Sequence, residues 1–270
     1  MRIALTRSVP ESIARCELTH LARVPIDFGV ASAQHAEYDA VLQSLGCTLR
    51  HVAPAHDLPD SVFVEDAAIV LDELAIVTRP GAVSRRPECH GVAAVLSDYR
   101  LLQSIVEPGT LDGGDVLRVG RTLYVGLSTR TNEAGASQLV RLLAPFGYTI
   151  ACVQTAACLH LKSAVTDVDA DRVLANPEWI DTDIFRRAGL DVIGVDPLEP
   201  HAANVLRVGG ALVVPAGHAR TASMLRSRGY DVRAVDVSEL AKAEAGVTCC
   251  SLIVDSSQQS AASYQQTTES

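Results

Sequence analysis

One pattern recurs along this chain and leaves few folds open to it. A short apolar strand begins on polar residues, turns, returns as a second apolar strand, and is followed by a helical stretch and one more strand. Residues 62–70 open the first copy, which turns at Asp72-Glu73, returns over 74–78 and continues into a helix over 88–103. A second copy runs 111–117, turns at 119–121, returns over 123–127 and leads to a helix over 133–143. The third runs 160–166 and 172–176, and the fourth 202–208 and 211–215 with a helix over 219–228. Residues 249–254 begin a fifth, whose missing strand Ile3-Ala4-Leu5 can supply. The copies are spaced by roughly 42–49 residues, the range of repeat architectures.

Such a unit cannot bury both faces alone. Five of them in a ring would share a centre and leave few free strand edges. The predicted architecture is therefore a five-bladed α/β propeller; the competing reading is an ordinary α/β sheet with fortuitous similarity. In a ring, the polar beginnings of the first strands meet at one end. That places Asp66, Asp112, His160, Asn204 and Cys249 together. Between the first strand and a helix expected over 33–45 lies a long polar stretch, 6–31, with Pro10 and Pro25. A loop of that length in a compact domain is often a lid.

The bulk properties remove several function classes. With 270 residues, 48% of them hydrophobic, the chain can bury a large core. No apolar run approaches the roughly 18–20 residues that cross a bilayer, and the first residues lack the apolar core of a signal peptide, so a cytoplasmic protein without membrane contact is expected. A net charge of -9 argues against a nucleic-acid partner. The seven cysteines follow no common zinc spacing, and most read as plain thiols of a reducing compartment. Residues 256–270, rich in Ser, Gln and Thr, have little to bury and are expected to be a disordered tail after a single catalytic domain over 1–255.

Three clusters carry chemistry. Cys249, His160 and Asp112 would supply a nucleophile, an acid-base group and an orienting carboxylate. Each alone is weak: a buried histidine is usually structural, and Asp112 before two glycines fits a turn. Their equivalent places in the repeat make the set informative. Glu65-Asp66, with Asp60 nearby, could clamp a guanidinium, whose planar N–H groups match carboxylates, or could be an exposed loop. Arg85 and Arg130 each follow a returning strand, and either could hold a carboxylate or be solvated. A ligand with a guanidinium at one end and a carboxylate at the other is an arginine derivative.

The blocks Phe63-Val64-Glu65-Asp66-Ala67, Leu111-Asp112-Gly113-Gly114-Asp115, Leu159-His160-Leu161-Lys162-Ser163 and Thr248-Cys249-Cys250-Ser251 resemble the dimethylarginine dimethylaminohydrolases, and the resemblance covers nearly the whole chain. It implies the pentein fold, the five-bladed α/β propeller of the guanidino-group modifying superfamily. It implies Cys249 as nucleophile, His160 as general acid and base, and Asp112 as the carboxylate orienting it. Glu65 and Asp66 would bind the guanidinium beside Phe63, Arg85 and Arg130 the carboxylate, and Asp60 the amino group. Leu18 falls where the family's lid closes, and Ala243 where a backbone group meets the substrate; these two transfers rest on the least similar parts.

The implied reaction converts N-methylated arginines to citrulline and a methylamine through a covalent thiouronium, with no metal or other cofactor. The partner is a small molecule, and a homodimer is the candidate assembly. Arginine deiminases resemble the chain too, but carry an acid two residues after the catalytic histidine, where this sequence has Lys162. A non-catalytic sensor of arginine-like ligands is the alternative outside enzymes.

Overall fold

The chain is described from a computed structural model that covers residues 1–255; the expected disordered tail, 256–270, lies outside the described residues. β1 (Arg2–Thr6) leads through a short 3-10 turn, Glu11–Arg15, and an irregular stretch into α1 (Phe28–Ser44), which returns as β2 (Cys47–His51) parallel to β1. Asp27 caps α1 by accepting the Val30 N–H at 3.0 Å, so the helix begins five residues earlier than its apolar spacing predicts.

The next blade pairs β3 (Ala68–Val70) with β4 (Leu74–Val77) and, through α2 (Glu88–Leu96), adds β5 (Leu101–Ser104) parallel to β4. The helix expected to reach residue 103 stops at Leu96, and residues 101–104 form that third strand instead. β6 (Val116–Val119), β7 (Thr122–Leu127), α3 (Glu133–Leu143) and β8 (Thr149–Gln154) repeat the plan, with Asn132 capping α3. The third hairpin, β9 (Val165–Asp169) and β10 (Arg172–Ala175), is preceded by the single turn α4 (Leu161–Ala164) and completed by α5 (Asp183–Arg187) and β11 (Asp191–Gly194). β12 (Leu206–Val208), β13 (Ala211–Pro215), α6 (Ala219–Ser227) and β14 (Asp231–Val235) make the fourth; α7 (Ser238–Ala241) then leads to β15 (Leu252–Asp255).

β15 pairs antiparallel with β1, Leu5 opposite Leu252, so the two ends of the described chain close one blade. The result is five three-stranded sheets, each with an antiparallel pair and a parallel third strand. This is the five-bladed α/β propeller expected. First strands of neighbouring blades pack on one another, β15 on β3, β6 on β9, β9 on β12. Apolar residues on both faces fill five buried clusters between sheets and helices.

The polar beginnings of these first strands are not strand. Residues 64–67 and 113–115 are 3-10 turns, 161–164 is one helical turn, and 247–250 is a turn that includes both cysteines. A tight turn aims several consecutive side chains and N–H groups toward one point, which an extended strand, alternating its faces, cannot do. This corrects the strand expected over 62–70. Cys250, in the same turn as Cys249, is buried in the core.

Candidate active site

Cys249 sits in a turn that three distant segments hold. Its carbonyl accepts the Glu65 N–H at 3.1 Å, and its sulfur accepts the Gly246 N–H at 3.3 Å. Just before it, the Thr248 N–H donates to Asn204 Oδ1 at 3.1 Å, and the Thr248 hydroxyl donates to Glu65 Oε2 at 2.7 Å. From α1, the buried Tyr38 hydroxyl donates to the Val247 carbonyl at 2.8 Å and lies 2.7 Å from the Ser251 hydroxyl. Leaving such a buried carbonyl unpaired costs about 1–3 kcal/mol, so the turn is held in place rather than merely tethered.

His160 caps the start of α4. Its Nε2 lies 3.1 Å from Asp112 Oδ2, and its Nδ1 lies 3.7 Å from Asp66 Oδ1. Asp112 is fully buried, and its other oxygen accepts the Gly81 N–H at 2.9 Å. The imidazole lies over the backbone of residue 114: a Cβ there would approach Nδ1 to 2.7 Å, so only glycine leaves room for the ring. Burial opposes the imidazolium, but Asp66, the bond to Asp112, and Asp115 outweigh it and raise the pKa to about 9. Burial likewise opposes the charge of Asp66, yet His160, Arg85 and the Gly114 N–H hold it well below the usual carboxylate range.

Cys249 is pushed the other way. Burial, then Glu65 and Asp66, raise its thiol to about 12; the Gly246 N–H and Lys162 offset only part of this. At neutral pH the resting sulfur is therefore a thiol beside an imidazolium.

Cys249 and His160 share a cleft of about 300 Å³ with Asp60, Phe63, Asp66, Arg85, Arg130 and Ala243. These are eight of the eleven residues singled out in the sequence; Asp112 lies behind His160, and Glu65 and Leu18 are off the cleft wall. The carboxylate of Glu65 faces the cavity enclosed by the first strands, where Oε1 pairs with Lys162 Nζ at 2.6 Å. Lys162 thus neutralises an acid beside the site; the sequence reading had it only as a missing carboxylate. Leu18 packs on the hydrophobic core beneath the loop.

The two arginines differ. Arg85 is buried and its donors are engaged: Nη1 with Asp66 at 2.6 Å, Nη2 with Glu88 at 2.9 Å, and two carbonyls, Asp60 and Phe63. A substrate carboxylate would have to share them. Arg130 has its Nη2 on the Thr19 hydroxyl at 3.2 Å, but its buried Nη1 has no hydrogen-bond partner and stands 3.9 Å from Asp112. Arg130 lines the cleft, and a guanidinium with a donor left without a hydrogen bond is suited to a carboxylate.

The stretch expected to be a lid folds over this cleft and is held by two acids. Asp60 accepts the Glu17 N–H at 3.1 Å. Glu244, at a left-handed φ of 60°, accepts three consecutive N–H groups, those of Thr19, His20 and Leu21, at 3.0, 2.5 and 2.5 Å. Sequence reading missed Glu244: it lies 225 positions from Thr19, and no local pattern marks the contact. Hydrogen bonds to a charged acceptor contribute about 1.5–3 kcal/mol each at most. Glu244→Gln is expected to raise KM several-fold with a smaller change in kcat and to speed limited proteolysis at residues 16–21; unchanged KM and proteolysis would show that the loop is held by other contacts.

Asp66, Asp112 and His160 offer ligand atoms within 4.8 Å of one another, the grouping among the described residues that could hold a metal ion. Their chemistry suits a proton better. A metal requires a neutral imidazole, whereas His160 is held as a cation, and Asp66 is already paired with Arg85. A larger cavity of about 860 Å³, lined in part by Trp179, His201 and His218, adjoins the cleft but contains neither Cys249 nor His160.

Comparison with known proteins agrees with this geometry. The arginine deiminase family model matches residues 54–192. An N(G),N(G)-dimethylarginine dimethylaminohydrolase of Streptomyces coelicolor is 40% identical over 250 residues, 92% of this chain and 95% of that protein. The enzyme of the same name from Pseudomonas aeruginosa is 35% identical over 228 residues, 84% of this chain and 89% of its own. A solved structure of the Pseudomonas aeruginosa enzyme, a cysteine-to-serine variant complexed with citrulline, superposes with a TM-score of 0.88 at 32% identity, covering 93% of this chain and 98% of that one. With a cysteine and a histidinium facing one cleft in a five-bladed propeller, the chain belongs to the dimethylarginine dimethylaminohydrolase family, within the broader group that the arginine deiminase model describes.

Proposed function

We propose that the protein hydrolyses N-methylated arginines, dimethylarginine and monomethylarginine, to citrulline and di- or monomethylamine. The observation that carries the reading is the shared cleft of Cys249 and His160, lined by Asp66 and by Arg130, whose Nη1 has no hydrogen-bond partner. The amino-acid carboxylate meets Arg130, with Arg85 contributing through shared donors, and the ammonium meets Asp60. Phe63 and the backbone of Ala243 line the path between, and the segment around Leu18 covers it. The guanidinium lies by Asp66, with the charge of Glu65 reaching it from behind the turn.

The resonance-stabilised guanidinium carbon is poorly electrophilic, and water attacks it too slowly; a thiolate does not. Bringing a cation against Cys249 favours loss of the thiol proton to solvent, because the acids that raise its pKa are then matched. The thiolate bonds to the guanidinium carbon. His160, already an imidazolium, gives its proton to the methylated nitrogen, and the C–N bond breaks to release the amine. A cationic thiouronium on Cys249 remains. The now neutral His160 takes a proton from water, whose oxygen bonds to the carbon. The C–S bond breaks, the second water proton goes to the departing sulfur, and citrulline leaves. Asp112 holds the ring through Nε2 in both steps.

The methyl groups need a pocket side without a competing acid. Lys162 stands where arginine deiminases place one, and its pairing with Glu65 lowers the negative charge near the guanidinium. The test is citrulline release from dimethylarginine and from arginine at equal concentrations. A large preference for arginine would make the protein a deiminase; ligand-induced stabilisation without turnover would make it a sensor.

The proposal extends to a single catalytic domain over 1–255 and to a cytoplasmic homodimer. All seven cysteines are free, in keeping with a reducing compartment, and no helix among the described residues is long and apolar enough to cross a membrane. Light scattering coupled to size exclusion settles the assembly.

A further inference from the structure

Asp115 does not face the cleft, yet it bonds to the segments that carry His160, Arg130 and Asp112. It is fully buried at the end of the 113–115 turn. Its Oδ1 accepts the Leu161 N–H at 2.9 Å, the residue after His160. Its Oδ2 accepts the Ser128 hydroxyl at 2.6 Å, and the Ser128 oxygen in turn accepts the Arg130 N–H at 3.0 Å and the Thr131 N–H at 3.2 Å. The Thr131 hydroxyl accepts the Asp112 N–H at 3.1 Å and lies near enough to Asp115 to favour its charged form. Gly126 leaves the space the carboxylate occupies: a Cβ there would stand 2.8 Å from Oδ1.

We infer that Asp115 is a positioning residue whose buried carboxylate fixes His160, Arg130 and Asp112 relative to one another. The geometry requires an acceptor at both oxygens. Only a carboxylate accepts from both the Leu161 amide and the Ser128 hydroxyl while leaving the Ser128 oxygen free for the Arg130 and Thr131 N–H groups. An asparagine keeps one acceptor, but its NH2 would donate to a Ser128 oxygen that already accepts two N–H groups. The Arg130 turn would then separate from the His160 turn. A displacement of about 1 Å at such a distance costs about 100-fold in rate.

The inference rests on the roles given above to His160 and Arg130, so its test is run beside the wild-type enzyme on dimethylarginine. Asp115→Asn is expected to lower kcat/KM about 100-fold. It is also expected to move the alkaline limb of the pH profile to lower pH, because one of the acids raising His160 loses its charge; Asp66 and Asp112, which also face the ring, keep part of the elevation. Ser128→Ala, which loosens only the Arg130 turn, should raise KM about 10-fold with kcat and the limb unchanged. Asp115→Asn with wild-type kcat and limb, measured per folded molecule by circular dichroism and cysteine titration, overturns the inference. If that variant does not fold, Ser128→Ala with wild-type KM overturns it. A wild-type enzyme inactive on dimethylarginine would count against the functional reading instead.

Discussion

Cys249→Ser is expected to lower citrulline release by at least about 10⁴-fold, since replacing a nucleophile removes the covalent path altogether. A serine hydroxyl is nearly isosteric with the thiol but far less acidic, and the acids that raise the thiol to about 12 would raise it further. Binding should survive, because Arg130, Asp60 and Asp66 are untouched. At a ligand concentration 100 times Kd, citrulline or dimethylarginine should therefore still stabilise the variant by about 2.7 kcal/mol in thermal unfolding. In the native enzyme, intact mass after reaction with a slow substrate should show one adduct, on Cys249. Turnover at the wild-type rate in the serine variant, or an adduct on Cys250, would remove Cys249 from the mechanism. Cys250 is fully buried in the core and should stay unmodified.

His160→Gln should lower kcat by about 10²–10⁴-fold, the range for losing a general acid. It should also remove the pH dependence that His160 imposes. With the imidazolium as the proposed acid, kcat/KM should fall as pH rises through about 9. Stability carries the same sign. A histidine pKa raised from the ordinary 6.5 to about 9 contributes stability that is complete below about 6.5 and is lost as pH rises through about 9. Between pH 6 and 9, denaturant unfolding should show that loss in the wild type but not in His160→Gln. A wild-type alkaline limb that persists in the glutamine variant would place the titrating group elsewhere.

Much of this was written in the chain order. The repeat of apolar hairpins, each with polar residues at its beginning, foretold five blades and one convergent end, because a hairpin unit with two apolar faces has to be covered by its neighbours. That reasoning brought Asp66, Asp112, His160, Asn204 and Cys249 together without any contact being known. It failed on local geometry: 64–67 and 113–115 read as strand because each adjoins an apolar run, Val62-Phe63-Val64 and Val116-Leu117, yet the site needs N–H groups and carboxylates aimed at a point, and tight turns supply that.

Residue types and their repeat positions determined the architecture and brought Cys249, His160 and Asp112 to one end of it. Tertiary structure alone decided how charge is shared among them. It assigned Arg85 to Asp66 and Glu88 while leaving an edge of Arg130 open, turned Lys162 from a missing acid into the partner of Glu65, and set Glu244 across the loop at residues 19–21. The physical reason is range. Apolar periodicity is a property of neighbours in sequence, whereas the pairing of a buried charge depends on which groups the fold brings within a few ångströms, and no stretch of sequence contains that distance.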